Sequence, residues 1–136
     1  MTVRHQDAPP TPFVYRQRVR PQDCAASTML GHPRYLEFFE AAFIEYWRDR
    51  FGQLEGSLGP TRRLTVAEVQ VHYLAAVRSD DEVRVEVALG RMTTRTIQVR
   101  YHAFVGDIRV ADGTSRYVCV DAESGKPAPL PGGIAS

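Results

Sequence analysis

Cysteine, net charge and long hydrophobic runs are all scarce in this chain of 136 residues, and each scarcity excludes something. Two cysteines, Cys24 and Cys119, are too few for a four-ligand zinc site or a disulfide framework. Seventeen Lys and Arg residues nearly cancel sixteen Asp and Glu, leaving +1, which removes the electrostatic argument for a nucleic-acid partner. No apolar run reaches the ~18 residues that a membrane-spanning helix needs. The opening MTVRHQDAPPTP has no apolar core of a signal peptide. What is present is ordinary: 43% hydrophobic and 24% charged residues, in a length that suits one domain. A chain of this size buries roughly two-thirds of its unfolded surface and needs no staple to fold. The expectation is a reduced, cytoplasmic, soluble single domain without a metal.

Both ends read as loose. Residues 1–12 hold three prolines without periodicity, and 122–136 mix Pro, Gly, Ala and Ser as segments that stay unfolded do. The ordered domain is expected over 13–121. Phe13–Arg20 is β-prone and loosely alternating, hence a first strand. After a loop from Pro21 to Gly31, Pro33 suits a first helical turn. From there Tyr35, Phe38, Phe39, Ala42, Phe43, Tyr46 and Trp47 recur at helical spacing, a wide apolar stripe on one face. Gly52 is the predicted stop. Beyond Pro60 the period changes to two, giving strands around Thr65–Tyr73, Val83–Leu89 and Thr96–Val105, with a hairpin turn at Gly106-Asp107. A last strand, Ile108–Val110 and Ser115–Asp121, is expected to break at Asp112-Gly113. One apolar face per strand and one helix predict an α+β fold, an antiparallel sheet wrapped around a single long central helix.

Three separated segments, in this order, resemble one family. Gln22–Trp47, QDCAASTMLGHPRYLEFFEAAFIEYW, resembles a loop-and-helix signature in which His32, Tyr35, Leu36, Phe39 and Glu40 fall in register. His72-Tyr73-Leu74-Ala75-Ala76 with Asp80-Asp81 resembles its strand and turn, and Val118–Asp121 with Lys126-Pro127 its last strand and exit. The family is that of the 4-hydroxybenzoyl-CoA thioesterases, hotdog-fold enzymes that hydrolyse acyl-CoA. The resemblance implies the hotdog fold and a homodimer or homotetramer with the site between subunits. It also implies a substrate carried on coenzyme A or the phosphopantetheine arm of an acyl carrier protein. No cofactor is expected beyond that arm of the substrate.

The sequence departs from the family at three points: the loop glycine falls on Thr28, an Arg common on the helix falls on Phe43, and the loop carboxylate is replaced. The second Asp of its loop, the usual nucleophile or general base, falls on Ala25 here, and alanine can do neither job. Thioester hydrolysis needs an activated water or nucleophile and a donor for the developing oxyanion. A helix start supplies the donor through free backbone N–H groups, and the resemblance puts it at His32. Asp23 is the nearest carboxylate and the first candidate base; its alternative is a turn cap or an ion pair with Arg18 or Arg20. His32 has a base's pKa range, against a solvated helix-entry residue. Thr28 and Ser27 are candidates to hold the water, against plain loop hydrogen bonding. Gly31 and Tyr35 are expected to line the substrate, and Arg91 and Arg95, with Arg62 and Arg63, to meet its phosphates. The expected function is acyl-thioester hydrolysis. A non-catalytic acyl-thioester binder that lost the carboxylate, and a hydratase or dehydratase using His32 and Asp23, are the rivals.

Overall fold

The aromatic stripe forms α1, a 20-residue helix over His32–Phe51, in a computed structural model that describes residues 12–24 and 29–135. All seven predicted stripe residues are buried. The helix stops at Gly52, whose φ of 90° lies in the region glycine enters without strain, its N–H donating to the Arg48 carbonyl at 3.0 Å. A short α2 (Leu54–Leu58), not foreseen from sequence, follows and gives the buried Trp47 indole a partner, its Nε1–H donating to Ser57 Oγ at 2.7 Å.

Five strands, β1 (Phe13–Arg18), β2 (Arg62–Tyr73), β3 (Glu82–Met92), β4 (Thr96–Val105) and β5 (Ile108–Asp121), form one antiparallel sheet in the order β1-β3-β4-β5-β2. The expected α+β hotdog arrangement is therefore present, with the helix against one face. Val83, Val85 and Val87 on β3 and Ile97, Val99 and Tyr101 on β4 point to it and are fully buried. The alternate residues face out, as period two requires.

The strand irregularities differ from expectation. β5 runs unbroken through Asp112-Gly113, which pair with β2 and β4 on both sides. Gly113 is there for space: a Cβ at this position would lie 2.5 Å from the Phe39 ring. The register shifts fall elsewhere, one of them between Val66 and Glu68 of β2. That shift keeps Val66 and Val69 on the same, inner face, opposite Tyr117 and Ser115.

Residues 122–135 do not form the loose tail that their composition suggested. Ala128 N–H donates to Cys119 O and Leu130 N–H to Thr94 O, both at 2.9 Å, and Ala128, Leu130 and Ile134 are buried. A short α3 (Gly132–Ala135) closes the segment. Three spaced apolar anchors and backbone pairing with β5 repay the ordering cost that average composition could not reveal. Of the expected arm at 1–12, all but Pro12 lies outside the described residues.

Two aromatic stacks lock helix to sheet: Phe39 on Tyr101 (4.6 Å, 6°) and Phe43 on Tyr117 (4.5 Å, 15°). Burial pushes the Tyr117 phenol up to about 12 and Tyr101 higher still, so both stay neutral. The Tyr101 hydroxyl is buried without a well-formed hydrogen bond, although those of Tyr117 and Ser115 are close by. An unsatisfied buried hydroxyl costs about 1–3 kcal/mol. Tyr101→Phe is therefore expected to raise the melting temperature, whereas Gly113→Ala, which drives a Cβ into the Phe39 ring, should lower it; calorimetry reads both.

Candidate active site

The start of α1 is tied down from two sides. Pro21–Asp23 forms one turn of 3-10 helix, and Cys24 bridges to Leu30 across the loop. Gly31 N–H donates to the Asp23 carbonyl at 3.2 Å, Leu30 N–H to Val77 O at 2.7 Å, and Met29 pairs with Arg78 beyond the end of β2. The helix mouth is thereby held against the segment joining β2 to β3. Between them opens a cleft of about 460 Å³, lined from Met29 to His32, by Tyr35, and by Tyr73 to Val77.

The chemistry of this cleft is mostly apolar. Met29, Tyr73 and Leu74 are 42%, 45% and 53% exposed, too much apolar surface for a wall that nothing is meant to cover. Its polar content sits at the helix entry. The Tyr73 hydroxyl donates to the His32 carbonyl at 3.2 Å, and its ring meets His32 edge-on at 4.8 Å and Tyr35 at 5.0 Å. Pro33 has no N–H and the Arg34 N–H donates to Gly31 O. That leaves the His32 N–H, which has no backbone acceptor among the described residues, as the donor at the positive end of the helix.

Of the residues expected from sequence, Gly31, His32 and Tyr35 line this cleft. Asp23 lies directly behind it, buried, with its carboxylate turned to Arg20. Oδ2 accepts from the Arg20 backbone N–H and Nε, and Oδ1 from a terminal guanidinium nitrogen at 2.9 Å. These hydrogen bonds from Arg20 hold the carboxyl below the usual range against the opposing effect of burial. Ser27 and Thr28, like Ala25, lie outside the described residues. Arg91 and Arg95 stand where β3 turns into β4, at the other end of strands about 33 Å long from the cleft of the same chain. Arg62 is taken by Pro129 O and Thr61. Met29, Tyr73 and Leu74 were not expected as site residues; Tyr73 and Leu74 entered only within the segment that resembles the family's strand and turn, which does not say that the strand ends beside the helix start.

With this geometry in view, relatives can be weighed. The profile of the Thioesterase-like superfamily matches residues 19–136, nearly the whole chain. The chain belongs to that superfamily. An acyl-CoA thioesterase, YbgC of Haemophilus influenzae, is 28% identical over 120 residues, covering 88% of each chain. A 1,4-dihydroxy-2-naphthoyl-CoA hydrolase of Nostoc punctiforme is 26% identical over 127 residues, 88% of this chain and 81% of that one. Among solved structures, a probable thioesterase from Bartonella henselae superposes with a TM-score of 0.82 at 21% identity, over 89% of this chain and all of the other. That agreement is one of fold. In this thioesterase-like chain no described helix is long and apolar enough to cross a membrane.

The Asp23–Arg20 pair makes one measurable claim. Arg20 remains in solvent, so screening keeps the net contribution modest. A carboxyl whose folded pKa is depressed adds stability above its unfolded value near 4, and loses it as pH falls through the folded value. Asp23→Asn is expected to lower the urea midpoint at neutral pH, with the gap to the parent protein closing below about pH 4.

Proposed function

We propose that this chain hydrolyses the thioester of an acyl-CoA in the cleft at the start of α1, and that a second copy completes the site. The observation that carries the reading is the His32 N–H, a backbone donor without a backbone acceptor among the described residues, at the positive end of a long helix that opens on an apolar cleft. A thioester carbonyl seated there would have its oxygen at the donor and its acyl chain along Met29, Leu74 and Val77. Water adds to the carbonyl carbon, the oxyanion forms against the N–H, and the tetrahedral species collapses with loss of the coenzyme A thiolate. Relatives named as CoA thioesterases fit this reading.

The base is the atypical part, since Ala25 stands where the resemblance places a carboxylate. We assign the proton to the His32 imidazole, which is exposed at the cleft and is the side-chain type most often used as a general base. Asp23 then acts as the anion that holds the loop. A carboxylate with both oxygens engaged by Arg20 and a lowered pKa is a weak base. Ser27 and Thr28 are proposed to hold the water, and Gly31 and Tyr35 to seat the thioester. Arg91 and Arg95 would meet phosphates only from the partner's side of a shared site.

The second copy is supported by β2. It is an edge strand whose inner face presents Val66 and Val69 at 52% and 40% exposure. An edge of this kind is an aggregation hazard unless another chain covers it. We therefore propose a homodimer or dimer of dimers in the cytoplasm, acting on coenzyme A or carrier-protein thioesters, with no cofactor beyond the thiol arm of the substrate.

Thiol release from a series of short, aromatic and long acyl-CoAs tests the activity. Turnover is expected, with His32→Gln lowering kcat by ~10²-fold or more. Ligand bound without turnover of any thioester would leave a non-catalytic binder instead. Val69→Asp, which puts a charge on the uncovered face, is expected to shift the protein to monomer in gel filtration and to lower kcat/KM with it.

A further inference from the structure

The outer face of the sheet carries a second polar cluster, remote from the chemistry of the cleft. Two cross-strand rows run side by side over β2, β5 and β4. In one, His72 lies opposite Asp112 and Asp112 opposite His102; in the other, Gln70 lies opposite Thr114 and Thr114 opposite Arg100. Their intervening neighbours Ala111, Ser115 and Tyr101 are buried on the other side, so these six side chains share the outward face. With Gly113 they line a shallow groove of about 130 Å³.

The two rows are committed differently. Asp112 Oδ1 lies 2.6 Å from His102 Nδ1 and 3.6 Å from Arg109 Nε, so its charge is compensated on two sides. Glu86 of β3 is the next carboxylate along that row, beyond His102. By contrast, the side chains of His72, Gln70, Thr114 and Arg100 make no hydrogen bond or ion pair among the described residues. Facing polar side chains on a sheet ordinarily pair with one another. Here a guanidinium, an amide, a hydroxyl and an imidazole converge on one groove, and no carboxylate stands in the Arg100 row.

We propose that this groove is a binding site for a phosphate monoester. Arg100 supplies a planar fork for two phosphate oxygens, and lysine would not serve equally. Thr114 of β5 and Gln70 and His72 of β2 line the same groove from two further strands. A carboxylate would be satisfied by the fork alone, whereas a tetrahedral group with three oxygens uses donors arranged in this way. Asp112 can accept from the P–OH of the singly ionised ester. The groove holds the phosphate and no more, so the organic part of the ligand lies along the sheet surface. The assignment stands whatever the cleft turns over.

The test is calorimetric titration of the full chain with inorganic phosphate and with adenosine 3′,5′-bisphosphate. Arg100→Gln is expected to weaken both by about tenfold or more, since the contact it removes is charge-assisted. It should leave unchanged the melting temperature and the kcat/KM for a phosphate-free acyl-pantetheine thioester. Gln70→Leu should give a smaller loss in the same direction. If Arg100→Gln also raises KM for acyl-CoA but not for the phosphate-free thioester, the monoester is the substrate's own; if KM for both stays put while phosphate binding falls, the ligand is a separate phosphorylated molecule. Failure of both probes to bind the parent protein, or equal binding by Arg100→Gln, would overturn the proposal.

Discussion

The position of everything functional follows from how α1 is clamped to the sheet. Phe39 lies flat on Tyr101 and Phe43 on Tyr117, and the absence of a side chain at Gly113 is what lets the first ring come down. Stacked rings tolerate little sliding, because offset and separation are both set by the ring quadrupoles. The clamp therefore fixes the helix along its axis as well as its rotation. A helix shifted along that axis would carry the His32 N–H away from the end of β2 and leave the cleft without a donor.

From that clamp the two ends of the sheet acquire different characters. At one end the helix start, the loop bridges and the β2–β3 connection meet, and main-chain groups are spent on holding the mouth open. At the other end α2, the β3–β4 turn and the C-terminal segment close over Trp47 and Cys119. The open end is where an uncharged carbonyl would be polarised by a backbone dipole in apolar surroundings, which makes each donor more effective than it would be in water. A backbone N–H at the helix start survives substitution of any side chain except by proline.

The two faces of the sheet divide the polar work in a similar way. Inside, three hydroxyls, those of Tyr101, Tyr117 and Ser115, are buried together beneath the aromatic stacks. Outside, charged and neutral donors alternate along β2, β4 and β5, with one carboxylate, Asp112, shared between a histidine and an arginine. Strand register alone separates them, because a slip of one residue would exchange the two sets.

Much of this was legible in the chain. Helical spacing named every residue of the buried stripe, and Gly52 and Gly106 marked real turns. Alternation named the faces of β3 and β4 but not of β2, where the register shift puts Val66 rather than Thr65 on the face of Val69. These are local patterns, set by the periods of helix and strand, and they hold wherever the segment is placed. Three other things were not legible. The tail from 122 to 135 looks loose by composition but docks through Ala128, Leu130 and Ile134, anchors that matter only once a surface is there to receive them. Asp23 reads as an available carboxylate, and only the turn at Pro21–Asp23 brings Arg20 round to occupy it. Tyr73 sits forty-one positions from His32, and no spacing rule links them. The amino-acid sequence by itself determined which residues of α1, β3 and β4 face inward, because that choice needs only the period of each element. Which inward or outward residues become neighbours was decided by the tertiary structure, because strand order, register and the aromatic clamp are long-range pairings.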